Sequence, residues 1–128
     1  MKGAVHDKSF AFALRVVKMA KYLQEEKREF VLSKQVLRSG TAIGALVREA
    51  EHGESRADFT HKMNIALKEA NETLYWLDLL HQSEYLSEEH YKSIFTDAEE
   101  LVKLLVSIVK TSKRTTVQRE EVKGESDK

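Results

Sequence analysis

The 128-residue sequence has no cysteine, no proline, only five glycines and no excess of charge of either sign. Without cysteine there can be no disulfide framework, thiolate zinc site or thiol nucleophile. The missing proline and scarce glycine argue against turn-rich β-sandwiches and suit long, uninterrupted helices. Twenty-one basic residues balance twenty-one acidic ones, so net charge gives no reason to expect nucleic acid or an anionic membrane as partner. No apolar run approaches the ~18 residues of a membrane span. The stretch from Phe10 to Leu14 is stopped by Arg15 and is too short for a secretory signal core. The expected location is the cytoplasm. What is present, 41% hydrophobic and 33% charged residues, fits one domain able to bury about two-thirds of its extended surface.

Hydrophobic periodicity divides the chain into four helical segments. The first is expected from about Asp7 to Lys27. Its apolar residues, from Phe10 to Leu23, cover an arc of roughly 200° at 100° per residue, about twice what one buried stripe needs. The second starts at Ser33, a plausible N-cap, and ends near Glu51 before Gly53. Val36, Gly40, Ile43, Val47 and Ala50 share its inner face. Gly40 and Gly44 cost helix propensity, of order 1 kcal/mol each against alanine, and the expected return is close approach of a neighbouring helix.

The third segment opens with a capping-box-like Ser55-Arg56-Ala57-Asp58 and reaches about Gln82. Phe59, Met63, Ala66, Leu67, Ala70, Leu74, Leu77 and Leu80 form its main stripe, and Ile65, Trp76 and Leu79 lie off it. The fourth begins at Ser87, with Leu86 and Tyr91 at hydrophobic-staple spacing. Its core pattern runs Tyr91, Ile94, Ala98, Leu101, Leu105, Ile108. The expected architecture is all-α, an antiparallel up-down-up-down four-helix bundle over residues 1–114, with a disordered polar tail over 115–128.

Chemistry-bearing spacings are few. Glu49-x-x-His52, Asp58-x-x-His61 and Asp78-x-x-His81 echo carboxylate-bridged di-iron bundles. Such sites need two Glu-x-x-His pairs plus two further glutamates at matched depth. His52 sits at a helix end and Asp58 in a first turn, so no metal or other cofactor is expected. Arg56 and His61 have an Arg-x4-His spacing resembling that of HEPN-type helical ribonucleases. There, arginine would stabilise a phosphate transition state while histidine moves a proton. With seven arginines and five histidines in the chain, one such spacing is expected by chance. No serine–histidine–acid constellation can be assembled, and no catalytic residue is assigned.

Charge is unevenly spread. Residues 1–38 carry nine basic and four acidic side chains, and residues 39–100 carry five and thirteen. Lys34, Arg38, Arg48 and His52 share one stripe of the second segment, opposite its apolar face. Two uses compete with plain solvation: a track for phosphates, or pairing with Glu69 and Glu72 on another copy's third helix.

The string Ser33-Lys-Gln-Val-Leu-Arg-Ser-Gly-Thr-Ala-Ile-Gly-Ala-Leu-Val-Arg-Glu-Ala50, followed by Ser55–Phe59, Ile65–Ala70 and Glu72–Leu77, resembles the four-helix-bundle proteins of the 23S ribosomal RNA intervening-sequence family. Leu46 departs from it, since the family commonly has asparagine there. The resemblance implies a bacterial source and a bundle that assembles into a ring, commonly a pentamer. It carries no catalytic residues, and nucleic-acid binding is the usual suggestion for the family. Together these readings give a non-enzymatic, oligomeric interaction module. Its first expected partner is itself, through Ile65, Trp76 and Leu79, and its second is RNA or an RNA-associated protein. The competing reading is a HEPN-like ribonuclease using Arg56 and His61.

Overall fold

Local start signals set where two of the four helices begin. In the structure, a computed structural model describing the backbone of residues 3–126 and the side chains of 3–115, α1 spans Ala4–Glu25, α2 Leu32–Glu51, α3 Arg56–Gln82 and α4 Glu88–Ser126. Ser55 caps α3 by accepting the Asp58 N–H at 3.0 Å. Ser87 does the same for α4 through the His90 N–H at 3.2 Å, and Glu88 and Glu89 fill the first turn, where carboxylates suit the helix dipole. Leu86 is buried in the core and Tyr91 packs against it, as the staple spacing predicts.

The start of α2 is a correction. Ser33 is not its N-cap but lies inside the helix, fully buried. Capping comes from outside: the Glu29 carboxylate accepts the Ser33 N–H at 2.8 Å, while the Ser33 hydroxyl donates to the Glu29 carbonyl at 2.9 Å. Burial pushes the Glu29 carboxyl up, but hydrogen bonds from the backbone N–H groups of Ser33, Leu32 and Val31 outweigh it and hold the group below its ordinary value of 4.5. Gln24 of α1 also donates to Ser33 Oγ, so this one buried serine ties the two helices and their connection together. Arg28, in that connection, takes a left-handed φ of 54°, and the Glu29 N–H returns to the Leu23 carbonyl at 2.9 Å. The bond reaches one residue further back than the 6→1 bond of a Schellman motif, and arginine stands in the left-handed position where glycine is usual.

The helices form a bundle around Phe12, Val16, Leu23, Val36, Ile43, Val47, Met63, Leu77, Leu80, Leu101 and Leu105, all essentially inaccessible to water. Burying each of the larger aliphatic side chains is worth about 1.5–3 kcal/mol. Packing follows chain order: α1 on α2, α2 on α3, α3 on α4, with a thinner seam between α4 and α1. Among the described residues no Cα of α1 comes within 8 Å of one in α3, nor any of α2 within 8 Å of one in α4, so these pairs lie diagonally across the core. The glycines of α2 set its distance from α1. A β-carbon on Gly40 would meet the two Val16 methyls at 2.8 and 2.9 Å, and one on Gly44 would lie 3.3 Å from the Ser9 carbonyl oxygen. Small hydroxyls fill other tight places, such as Ser39 and Thr73, whose oxygens are 2.9 Å apart between α2 and α3.

α4 keeps its helical backbone to Ser126, over the segment whose composition predicts disorder. Residues 115–123 contain no glycine or proline, and lengthening an existing helix avoids the cost of nucleating one. The last buried side chain described on α4 is Ser112. The side chains of 116–128 lie outside the described residues.

Two substitutions test this packing. Gly40→Ala gains helix propensity of order 1 kcal/mol, yet a net loss of about 1–3 kcal/mol is expected by urea unfolding. Both valine methyls are in the way, so no χ1 rotation clears them. Gly40→Ala should cost less in a Val16→Ala background than in the wild type, and a more stable single variant would refute the close approach. Glu29→Gln should cost about 1–2 kcal/mol at pH 7. A lowered folded-state pKa means that the carboxylate's contribution is present above 4.5 and fades as pH falls through the folded value. The gap between wild type and variant should therefore close in acid.

Candidate functional site

Two apolar stripes of the bundle face water. On α1, Phe10, Leu14 and Val17 are 50%, 54% and 37% exposed. Spaced by four and three, they fall within an arc of about 60° at 100° per residue. This is the outer part of the broad arc read from the sequence, the inner part being Phe12, Val16, Met19 and Leu23. The guanidinium of Arg48, from α2, lies 5.0 Å from the Phe10 ring centre, a cation–π contact that flanks the stripe.

On α3, Tyr75 and Leu79 are exposed. Trp76 is half-buried, packs on the bundle's own core and meets Tyr75 edge to face at 4.9 Å. Ile65 is half-buried. Of the three residues expected at an interface, Leu79 is thus exposed, while Ile65 and Trp76 spend part of their surface inside their own chain. Tyr75 belongs with Leu79 one turn away, and its four-residue spacing was the available signal for it.

The charged stripe of α2 does not act as a unit. Arg38 reaches Glu69 at 3.2 Å and also Glu72, both on α3 of the same chain. Glu72 additionally accepts the Trp76 indole N–H at 2.9 Å. The pairing expected between copies is therefore met within one chain for Arg38, because α2 and α3 are packed neighbours and the arginine fork spans the gap. Among the described residues, neither Lys34 nor Arg48 has a carboxylate partner. Leu46, in the place where the family commonly has asparagine, packs against the core.

Arg56 and His61 are not brought together. Five residues apart on α3, they project about 140° from each other. Arg56 lies over the Phe59 ring at 5.7 Å, and His61 is exposed. The acid–histidine spacings separate as well: Glu49 is 4.0 Å from Lys62, and His52 is exposed at the end of α2. Among the described residues, no three of His, Asp and Glu converge as a metal cluster would require.

The joint between α3 and α4 holds the most tightly interlocked polar group. His81 Nε2 is 2.6 Å from Glu88 Oε2, and its ring stacks on Tyr91 with centres 4.0 Å apart and planes 5° from parallel. The Tyr91 hydroxyl donates to Asp78. That hydrogen bond, with burial and the negative charge of Asp78 behind it, pushes the phenol up to about 12. Glu88 moves the other way, held below its ordinary value mainly by the hydrogen bond from His81, against a smaller opposing effect of burial. These contacts staple the turn, and the residues they join are also those that fix the angle at which α4 leaves α3.

Comparison with known proteins adds a family. Residues 1–107 match the family described as 23S rRNA-intervening sequence protein. Among solved structures, the chain is similar to a protein with unknown function from the S23 ribosomal protein family of Bacteroides thetaiotaomicron. The two share 60% identity at a TM-score of 0.83, over 84% of this chain and 99% of that one. No curated protein matches.

The joint makes an alkaline prediction. A raised folded-state pKa means that the neutral phenol's contribution is complete below the unfolded value near 10 and is lost as pH rises towards about 12. Wild type should therefore lose its stability advantage over Tyr91→Phe across that interval. In spectrophotometric titration, the last of the four tyrosines to ionise in the folded protein should be missing from the variant.

Proposed function

The chain belongs to the 23S rRNA-intervening sequence protein family, and on that footing we propose that it is a non-enzymatic, self-assembling helical-bundle module. Its helices run antiparallel, up-down-up-down, and its working form is a homo-oligomer in the bacterial cytoplasm. The observation that carries this reading is the Phe10–Leu14–Val17 stripe, three large apolar side chains exposed together on α1. A contiguous apolar patch of that kind usually marks an interface.

The second stripe, at Tyr75 and Leu79, lies on α3, which is not an adjacent packing neighbour of α1. Two different patches on separate helices favour head-to-tail contact, α1 of one copy against α3 of the next. Such contacts close into a ring when the rotation between copies permits. A ring of five is the closure that the family resemblance implies. RNA, or a protein bound to RNA, is the second partner class. It is supported by Lys34 and Arg48, which have no carboxylate partner among the described residues, and it is weakened by the use of Arg38 inside the bundle. The outward divergence of Arg56 and His61 speaks against the ribonuclease alternative.

Sedimentation tests the module directly. At tens of micromolar the wild type should run as an oligomer. Leu14→Asp, at a position 54% exposed, should run as a folded helical monomer whose thermal midpoint no longer depends on protein concentration. A wild-type monomer sinks the proposal. RNA added at low and high salt probes the second partner, since phosphate contacts weaken steeply with salt. Cleavage of that RNA by wild type, lost in His61→Ala, would restore the enzyme reading.

A further inference from the structure

Where the bundle closes least tightly, between α1 and α4, it leaves a cavity of about 370 Å³. That volume lies within the ~300–1,000 Å³ of small-molecule sites. Met19, Leu86 and Ile94 form its floor, each at most 9% exposed. Lys18, Tyr22 and His90 line it further out, and all three are exposed residues. Arg15, also in the lining, is already committed: it reaches Asp97 at 2.6 Å and the Ser93 hydroxyl at 3.0 Å. Among the described residues, no carboxylate lies within ion-pair distance of Lys18 or His90, and no carboxylate lines the cavity.

We propose that this cavity binds a small anionic amphiphile, a carboxylate with an aliphatic tail. The tail rests on Met19, Leu86 and Ile94, and the head meets Lys18 and His90 at the rim. The argument is one of charge and shape. An apolar floor alone would accept any greasy molecule, but here every uncommitted polar group at the rim can donate a hydrogen bond. Lysine offers three N–H donors, histidine at least one in either tautomer, and tyrosine its hydroxyl. A carboxylate is acceptor-only and matches them, with a charge-assisted bond to lysine as the strongest contact. A neutral alcohol of the same length lacks that contact. The floor faces away from the exposed stripe of α1, since Met19 projects roughly 180° from Phe10 at 100° per residue, while Lys18 lies one turn beyond Leu14, about 40° past the stripe's edge. Every residue that lines it comes from one chain.

The experiment is calorimetric titration of the full-length protein with sodium octanoate and, separately, octan-1-ol. Octanoate should bind saturably with one site per chain, and octanol at least about tenfold more weakly. Lys18→Glu should weaken octanoate by about tenfold or more at an unchanged thermal midpoint. Lys21→Glu, on the same helix but outside the lining, should leave the affinity unaltered. Equal binding of octanol and octanoate, an equal loss in both lysine variants, or no saturable binding would each overturn the assignment. So would a change in sedimentation mass of Lys18→Glu with no octanoate binding in wild type, since that outcome makes the cavity a seat for a second copy. Failure of the assembly proposal alone, with octanoate still bound by monomers, leaves this one standing.

Discussion

Everything in this bundle is arranged around how closely α1 lies on α2. At Gly40 no β-carbon would fit, because both methyls of the fully buried Val16 already occupy the space. An interface of that kind trades helix propensity for dispersion contacts, which a protein interior gains only where packing leaves no gap. It also fixes the rotation of α1 about its own axis. With Ser9 and Val16 turned into α2, Phe12 and Leu23 enter the core, and Phe10, Leu14 and Val17 have nowhere to go but outward. The same rotation carries Lys18 and Met19 to the α4 side. The exposed stripe and the cavity are two results of one packing decision.

Buried polar groups add register to this framework. Ser33 accepts from Gln24 and is held by Glu29, Ser39 pairs with Thr73, and Thr60 pairs with Ser112. Each joins different segments at one position. Sliding any helix by a turn would strand a hydroxyl or a carboxylate away from water, which costs more than the bond itself contributes. Among the described residues no buried side-chain N or O atom lacks a partner. Leucines and valines tolerate several alignments, and these small polar pairs reject the alternatives.

Periodicity and capping chemistry made the helices legible in the sequence. The Ser55 and Ser87 caps and the close-approach role of Gly40 are found as read, and so is the α4 alternation from Ile94 to Leu105, after which Val109 rather than Ile108 enters the core. Long-range polar partners were not legible. Ser33 has the residue type and position of an N-cap, and nothing local distinguishes it from a serine capped in turn by Glu29. Arg38 pairs with Glu69 and Glu72 inside one chain, not between copies, because a one-dimensional pattern cannot separate a neighbour in the same chain from one in another copy. The exposed stripe of α1 was visible only as excess width of an apolar arc. Its division into inner and outer halves needed the position of α2. The cavity left no signal at all, because its lining comes from α1, α4 and the turn before α4.

The order of packing along the chain has a kinetic consequence. Nearly all helix–helix contact joins segments that follow one another in sequence, and only the α1–α4 seam joins the ends. Low contact order of this kind goes with folding in microseconds to milliseconds, since each new helix docks on one already formed and little loop entropy is lost at any step. The seam is then the last surface to close on the way in. With the fewest contacts to break, it is also the first to open on the way out, so amide exchange along it should report sub-global opening well before the α2–α3 interior exchanges.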